Sequence, residues 1–459
     1  MDTLYYILFS AFAFVSMMFI VVGFHEFGHY ITARLLGIKV LTFSIGMGKK
    51  LFSYVSKRSG IEYTISALPI GGYVKMLDEK EQVDNLNNWS EEDLKKSFSR
   101  APVWKRFLVV LNGPLFNLIL AIAFLFIINL GGTTEVKPIV GSIQESSWSD
   151  KAGLRPNDQV ISIDGKKTES WYKFAMEIIS SSGYDFVEIK VNRNGETITL
   201  APSIKDFSLE RKDKDIIEKL GITPIHKNFG NKIGAIVENS PAYNAGLKPG
   251  NEIYSINGIE ISSFNMIKDI VSKKPNQEVE VTIIDNGSFI SQKITLQESK
   301  INGEKVGTIG VYPYPVEYNE NWFIHNNLGI MGSFTKAVDT SFYMVEKTFT
   351  LLKKMVTGDI SPKLISGPVT MADAAGKSAS NGLVSFLTLC AAISVNLMII
   401  NLLPIPALDG GHLAMYSYAM IFRKEVNEKI QFVALKIGML LILSLMIFAI
   451  FMDISDFFM

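Results

Sequence analysis

The chain has 459 residues, with 45 lysines and arginines against 45 aspartates and glutamates, and a net charge of zero offers no footing for nucleic acid. Hydrophobic residues make up 48% and charged ones 20%, an average over nearly charge-free blocks and ordinary soluble ones, in a chain too long for one core. Cys390 is the one cysteine, which excludes an intramolecular disulfide framework.

Residues 4–24 form an apolar run long enough to cross a bilayer, given the ~20 residues a span needs. Its start lacks a basic segment and carries Asp2, so the run is expected to be retained rather than cleaved as a signal peptide. The run leads into His25-Glu26-Phe27-Gly28-His29, and the helix should continue to a stop at Gly37, giving a first spanning segment over 1–37. From 38 to 78, β-branched and aromatic residues nearly alternate and glycines mark turns, which predicts a small membrane-associated β-sheet. Gly71-Gly72 suits either a plain hairpin turn or a strand that another backbone approaches closely. A polar linker, 79–103, contains Ser90-Glu91-Glu92-Asp93, the pattern of a helix start. The second span, 104–130, carries Asn112-Gly113-Pro114, which is tolerable in lipid only against another helix.

Residues 131–315 are soluble in character and duplicated. Ala152-Gly153-Leu154-Arg155-Pro156 recurs as Ala245-Gly246-Leu247-Lys248-Pro249, and Ile163-Asp164-Gly165 recurs as Ile256-Asn257-Gly258, at one constant offset of 93 residues. Two domains are expected, 131–221 and 222–315. Each resembles the PDZ domain in its bacterial protease-associated form, where an extended peptide can add a strand to a groove edge; two spacers that bind nothing are the alternative.

Segment 320–378 should hold an amphipathic helix over 322–355, with Lys336, Asp339, Glu346 and Lys353 among apolar residues, then a loop over 359–377. A third span, 380–412, ends in Asn401-Leu402-Leu403-Pro404-Ile405-Pro406-Ala407-Leu408-Asp409-Gly410-Gly411-His412. A fourth covers 430–453, and 453–459 reads as an acidic tail. The expected fold is therefore a polytopic α-helical membrane protein with four transmembrane helices, a membrane-associated β-sheet and two tandem PDZ-like domains. Lysines and arginines crowd the segment between the first two spans and, as Arg423, Lys424 and Lys429, the one between the last two. The positive-inside rule then puts both termini and the duplicated domains outside, and the His motif toward the cytoplasm.

On a helix, His25 and His29 share a face and can offer two nitrogens to one zinc ion, while Glu26 can take a proton from water held there. Such groups in a membrane-length segment are costly without a use. A catalytic zinc needs a third protein ligand. His226 and His325 lack ligand spacing and read as surface residues; His412 is near the third span. Asp409 is better placed, after a proline-broken helix end where unwound backbone can turn a carboxylate inward. Zinc(II) with Asp409, Glu26 and neutral water sums to zero charge, the cheapest cluster to hold in lipid.

His25-Glu26-Phe27-Gly28-His29, Gly71-Gly72-Tyr73-Val74-Lys75-Met76, the tandem repeats, and Asn401-x-x-Pro404-x-Pro406-x-Leu408-Asp409-Gly410 together resemble the site-2 protease family, in its bacterial RseP-type branch of intramembrane zinc metalloproteases. The resemblance covers essentially the whole chain. It implies cleavage of single-span membrane proteins within the bilayer of the bacterial cytoplasmic (inner) membrane, after a first cut by an upstream site-1 protease. Anti-sigma factors of the envelope stress response and remnant signal peptides would be substrates. It further implies Zn2+ held by His25, His29 and Asp409, Glu26 as catalytic base, Asn401 as a substrate-backbone contact, and Gly71, Gly72, Tyr73 and Val74 as a strand that pairs with the unwound substrate. Such a strand could replace the hydrogen bonds a helical substrate loses on unfolding in lipid. The competing readings are a membrane zinc protease cutting juxtamembrane loops, a PDZ-bearing scaffold with a structural metal or none, and a zinc transporter, the last weakened by only four spans and no inverted repeat.

Overall fold

The computed structural model describes residues 3–458 apart from 80–88, 206, 210–212, 214, 228, 262, 286, 302–303 and 316–318. Two units emerge: Met1–Thr133 with Asn326–Met459, and Thr134–His325. The first unit begins with helix α1 (Thr3–Leu35), strands β1 (Val40–Val55) and β2 (Glu62–Met76), the short helix α2 (Glu91–Leu94) and helix α3 (Val103–Leu130). The helix start expected at Ser90 is there: its hydroxyl accepts from the Asp93 amide at 3.2 Å. Part of that linker, 80–88, lies outside the described residues.

The sheet is more folded than a hairpin. Both strands fold back: β2 pairs with both sides of Thr42–Ile45, through Glu62–Ile65 and Gly72–Lys75, and β1 pairs with both sides of Glu62–Ile65, through Thr42–Ile45 and Lys50–Val55. Gly72–Met76 is thereby an outer edge, and among the described residues no strand beyond β1 pairs with β2. Tyr30 and Ala33 of α1, Val109 of α3, and Ile38, Val40 and Ile61 beside the strands form one buried cluster that fixes the sheet to the helices.

The second unit runs through β3 (Thr133–Val136), β4 (Val140–Ile143), α4 (Trp148–Lys151), β5 (Gln159–Ile163), β6 (Lys166–Lys167), α5 (Trp171–Ser180), β7 (Ile189–Arg193), β8 (Glu196–Leu200), α6 (Ile216–Lys219) and β9 (Ile222–Pro224). It continues as β10 (Ile233–Ile236), α7 (Pro241–Asn244), β11 (Glu252–Ile256), β12 (Ile259–Glu260), α8 (Phe264–Ser272), β13 (Glu278–Asp285), β14 (Ser288–Thr295), β15 (Gln297–Ile301), β16 (Glu304–Thr308), β17 (Val311–Pro313) and β18 (Phe323–Asn326). The two copies share one topology. Sheet order β6-β5-β7-β8 is matched by β12-β11-β13-β14, and the pair β4-β9 by β10-β17. The repeated motif has a backbone reason: Asp164-Gly165 and Asn257-Gly258 all have positive φ, from 46° to 78°, as a two-residue hairpin turn requires. Phe174 and Ile178 of α5 cover Val160, Ile163 and Ile189, and Ile267 and Val271 of α8 cover Ile253, Ile256 and Val281.

The first unit resumes with α9 (Gly329–Thr357), α10 (Pro368–Ser380), α11 (Leu383–Leu402), α12 (Asp409–Phe422) and α13 (Glu428–Phe458). Among the described residues, four helices are long and apolar enough to cross a membrane: Leu4–Leu35, Val103–Leu130, Leu383–Leu402 and Glu428–Ser455. α9 starts later than expected and packs on α3 and α11, with Ala337 against Ala121 and Ala391 in one cluster. Small residues recur in these contacts because lipid-facing helices associate by close packing rather than by burial from water.

Three expectations are corrected. The loop foreseen at 359–377 contains α10, started by Pro368 and held from afar: Asp453 accepts from the amides of Gly367, Val369 and Thr370 at 3.0, 2.8 and 3.2 Å. The acidic tail foreseen from 453 is helical to Phe458, and Asp453 is buried in that contact. The third span ends at Leu402 rather than 412; two prolines break it, and Asp409 opens a separate helix rather than sitting on unwound backbone.

Candidate active site

The period of α1 stacks His25 and His29, with Nε2 atoms 3.2 Å apart. Asp409 Oδ2 lies 3.2 Å from His25 Nε2 and 3.5 Å from His29 Nε2. His25, Glu26 and His29 are all buried.

The outer nitrogens of the two rings decide what faces the centre. His29 Nδ1 lies 2.8 Å from the Val109 carbonyl of α3, to which it can only donate, so the neutral ring keeps its lone pair on Nε2. His25 Nδ1 meets the Asn117 amide nitrogen at 3.2 Å, while Asn117 Oδ1 is buried without a partner. Turning that amide by 180° lets His25 Nδ1–H donate to Oδ1 and satisfies both groups, an assignment crystallographers face routinely. Three lone pairs then converge, and Asp409 Oδ2 has no hydrogen-bond donor of its own. A cation satisfies all three at once. A tetrahedral zinc site with bonds of ~2.0–2.1 Å has ligand–ligand edges of about 3.3–3.4 Å, and the edges of 3.2, 3.2 and 3.5 Å bracket that value. The nitrogen and carboxylate donor set also fits zinc.

Room for the rings comes from α3. A Cβ on Gly113 would lie 2.2 Å from His29 Nε2 and 3.0 Å from His25 Cε1, so no larger residue fits. Glu26 follows His25 and faces the sheet, where a Cβ on Gly72 would meet its Cγ at 2.6 Å. Of the expected site residues, the structure therefore gathers His25, Glu26, His29 and Asp409, and brings Gly72 against Glu26. Gly71, Tyr73 and Val74 continue the same edge, paired in the order Gly72–Ile45, Tyr73–Ser44 and Val74–Phe43. Gly71, with φ of 95°, lies where β2 reverses, and Gly72 begins its outer segment. Asn401 stands half-buried in the last turn of α11, across the proline break from Asp409. His226 and His325 belong to the other unit.

Sequence reasoning missed Asn117, Gly113, the Val109 carbonyl and Ser394, whose hydroxyl donates to the Asn117 carbonyl at 2.8 Å. A fully buried asparagine in a membrane-length apolar helix was the signal available for the first of these.

The sequence profile of peptidase family M50 matches residues 13–445. The chain belongs to that family. As an M50 peptidase it is a site-2-type zinc metalloprotease acting in regulated intramembrane proteolysis. It is 34% identical to the regulator of sigma E protease of Haemophilus influenzae, over 97% of this chain and 98% of that one. Identity to the regulator of sigma-E protease RseP of Escherichia coli is 30%, over 96% and 98%. A Vibrio cholerae protein whose name places it among zinc metalloproteases is 33% identical over 98% and 99%. A solved PDZ domain from Listeria monocytogenes aligns with 18% of the chain at 20% identity and a TM-score of 0.17, a likeness too slight to argue from.

Proposed function

We propose that His25, His29 and Asp409 hold the catalytic zinc of this M50 peptidase and that Glu26 is its general base. The observation that carries this is the convergence of His25 Nε2, His29 Nε2 and Asp409 Oδ2 to within 3.5 Å of one another beside the buried Glu26. Zinc bound there supplies Lewis-acid polarisation of a carbonyl and lowers the pKa of water toward ~7. Glu26 accepts the proton of the attacking water as the new C–O bond forms. It returns that proton to the amide nitrogen as the C–N bond breaks, and the amine leaves neutral. The outer edge Gly72–Met76 holds the substrate backbone extended by main-chain hydrogen bonds, with Gly72 admitting close approach beside Glu26. Asn401 adds a contact to that backbone.

The substrates are single-span membrane proteins cut inside the bilayer of the bacterial inner membrane, anti-sigma factors and remnant signal peptides among them, after an upstream protease has removed the outer part. The names of the relatives support the sigma-factor connection. Both termini and the duplicated domains lie outside, supported by the basic residues between the spans. The two copies, with their shared sheet order and A-G-L-x-P turns, are tandem PDZ domains that exclude substrates with bulky outer parts.

The test is Glu26→Gln. It should leave zinc bound at one equivalent and abolish cleavage of a single-span substrate; surviving cleavage overturns the assignment. Strand pairing has its own test in substrates N-methylated at successive amides. Pairing predicts inhibition at alternate positions, because a strand presents its amides to one neighbour with period two; a flat profile overturns it.

A further inference from the structure

The edge Gly72–Met76 does not run on indefinitely. At Leu77 it is capped: the Leu77 carbonyl accepts from the Phe98 amide at 2.7 Å and from the Ser97 hydroxyl at 3.2 Å. Any strand laid along this edge must therefore turn away near Phe98. At that point the fold leaves a cleft of about 370 Å³, lined by Val74, Met76, Phe98, Arg106, His412 and Tyr416 among others. One end of the edge touches Glu26 and the other opens into the cleft.

The cleft is aromatic. The Tyr416 ring meets Phe98 at 6.5 Å and 66°, meets His412 at 6.3 Å and 31°, and carries the Arg106 guanidinium 5.3 Å over its centroid. Arg106 is neutralised by Glu425 at 2.5 Å. Burial pushes the Tyr416 hydroxyl up to about 12, so it stays protonated across the working range. Lys75 and Asp78 also line the cleft, so its two cations and two carboxylates carry no net charge, and its ring-lined part favours a flat, large, uncharged side chain over a charged one.

We propose that this cleft is a specificity subsite for one aromatic substrate side chain, located two to four residues from the scissile bond. The distance follows from the strand: Gly72 abuts Glu26, Val74 to Met76 line the cleft, and a paired strand advances ~3.3 Å per residue, or roughly 7–13 Å over that interval. The proposal rests on the strand-pairing reading of Gly72–Met76. Neither the zinc ligands nor Glu26 enter it, so the subsite governs which sequences are cut well rather than whether hydrolysis occurs.

The test uses the full chain in lipid vesicles with a single-span substrate of alanine and leucine, its cut bond located by mass spectrometry. Phenylalanine is placed singly at each of four positions on both sides of that bond. The readout is the ratio of kcat/KM for Phe over Ala within each enzyme, so a general loss of activity cancels. Wild type should prefer Phe ~10-fold or more at one position two to four residues from the cut. In Ala419→Trp, which fills the cleft from α12, that preference should fall to within about twofold. A flat wild-type scan, or a preference that Ala419→Trp leaves intact, overturns the subsite. Should Ala419→Trp cleave nothing, Phe98→Ala decides: the enlarged cleft should move the preference from Phe to Trp, and an unmoved preference overturns it. A flat Phe scan together with a period-two N-methyl profile sinks the subsite alone; a flat N-methyl profile sinks strand pairing first.

Discussion

Replacing Asn117 by alanine tests how the metal site is oriented. The substitution removes the amide that faces His25 Nδ1 but leaves the backbone carbonyl that receives the Ser394 hydroxyl. Without an acceptor at Nδ1, the His25 ring can move its proton to Nε2 and donate to Asp409 Oδ2, 3.2 Å away. That tautomer stabilises the metal-free centre and removes one ligand lone pair. Loss of such an outer partner typically weakens metal binding 10–100-fold, equivalent to about 1.4–2.7 kcal/mol. Chelator competition on the solubilised protein should show the zinc Kd rising by that factor, with kcat largely recovered at saturating zinc. Asn117→Asp separates the two amide orientations. An acceptor at this position keeps zinc tight with aspartate, whereas a donor does not. A zinc Kd for Asn117→Ala within twofold of wild type would refute the reasoning.

Gly113→Ala puts a methyl 2.2 Å from His29 Nε2 and should cost at least ~100-fold in zinc affinity, read as metal content after dialysis; stoichiometric zinc in that variant contradicts the packing. Gly72→Val forces a side chain against Glu26 Cγ and the Ser44 carbonyl, so cleavage should fall more than ~100-fold while zinc remains, as expected when a positioned proton-transfer group is displaced. Zinc and activity lost together would mean that the sheet supports the ligands instead. Asp453→Ala removes the acceptor for three amides and the Thr370 hydroxyl at the start of α10. Caps of this kind contribute about 0.5–2 kcal/mol, so hydrogen exchange at residues 367–371 should speed up several-fold with the rest of the chain unchanged, and uniform exchange would exclude the cap.

Where chemistry was written in contiguous residues, the sequence announced it. His25, Glu26 and His29 are ordered by one helix, and the carboxylate expected after a double proline break does lie beside the two histidines. The duplication was legible because hairpin turns force Asp-Gly and Asn-Gly into fixed places in each copy. What escaped depends on partners far along the chain. Helix α10 contains Gly376, Ser378 and Ser380, poor interior residues by propensity, and owes its start to Asp453 on another helix. The same Asp453 looked like a solvent-exposed tail because nothing nearby reveals a buried partner. Asn117 is silent in hydropathy, since one amide hardly alters the average of a 28-residue helix. The fold-back that makes Gly72–Met76 an edge comes from β2 pairing on both sides of Thr42–Ile45, a register no local pattern encodes.

The proposed zinc ligands are split between α1 and α12, with most of the chain between them. Ribosomes extend a chain at ~5–20 residues per second, so roughly 20–80 seconds pass between the making of His29 and of Asp409. Throughout that interval the growing polypeptide carries two histidines and a glutamate but only part of a metal centre. A nascent chain surrounded by other membrane segments is thus inert toward them. On the proposed ligand set, hydrolytic power arrives only once α12 is made, and a product truncated before α12 lacks the third ligand.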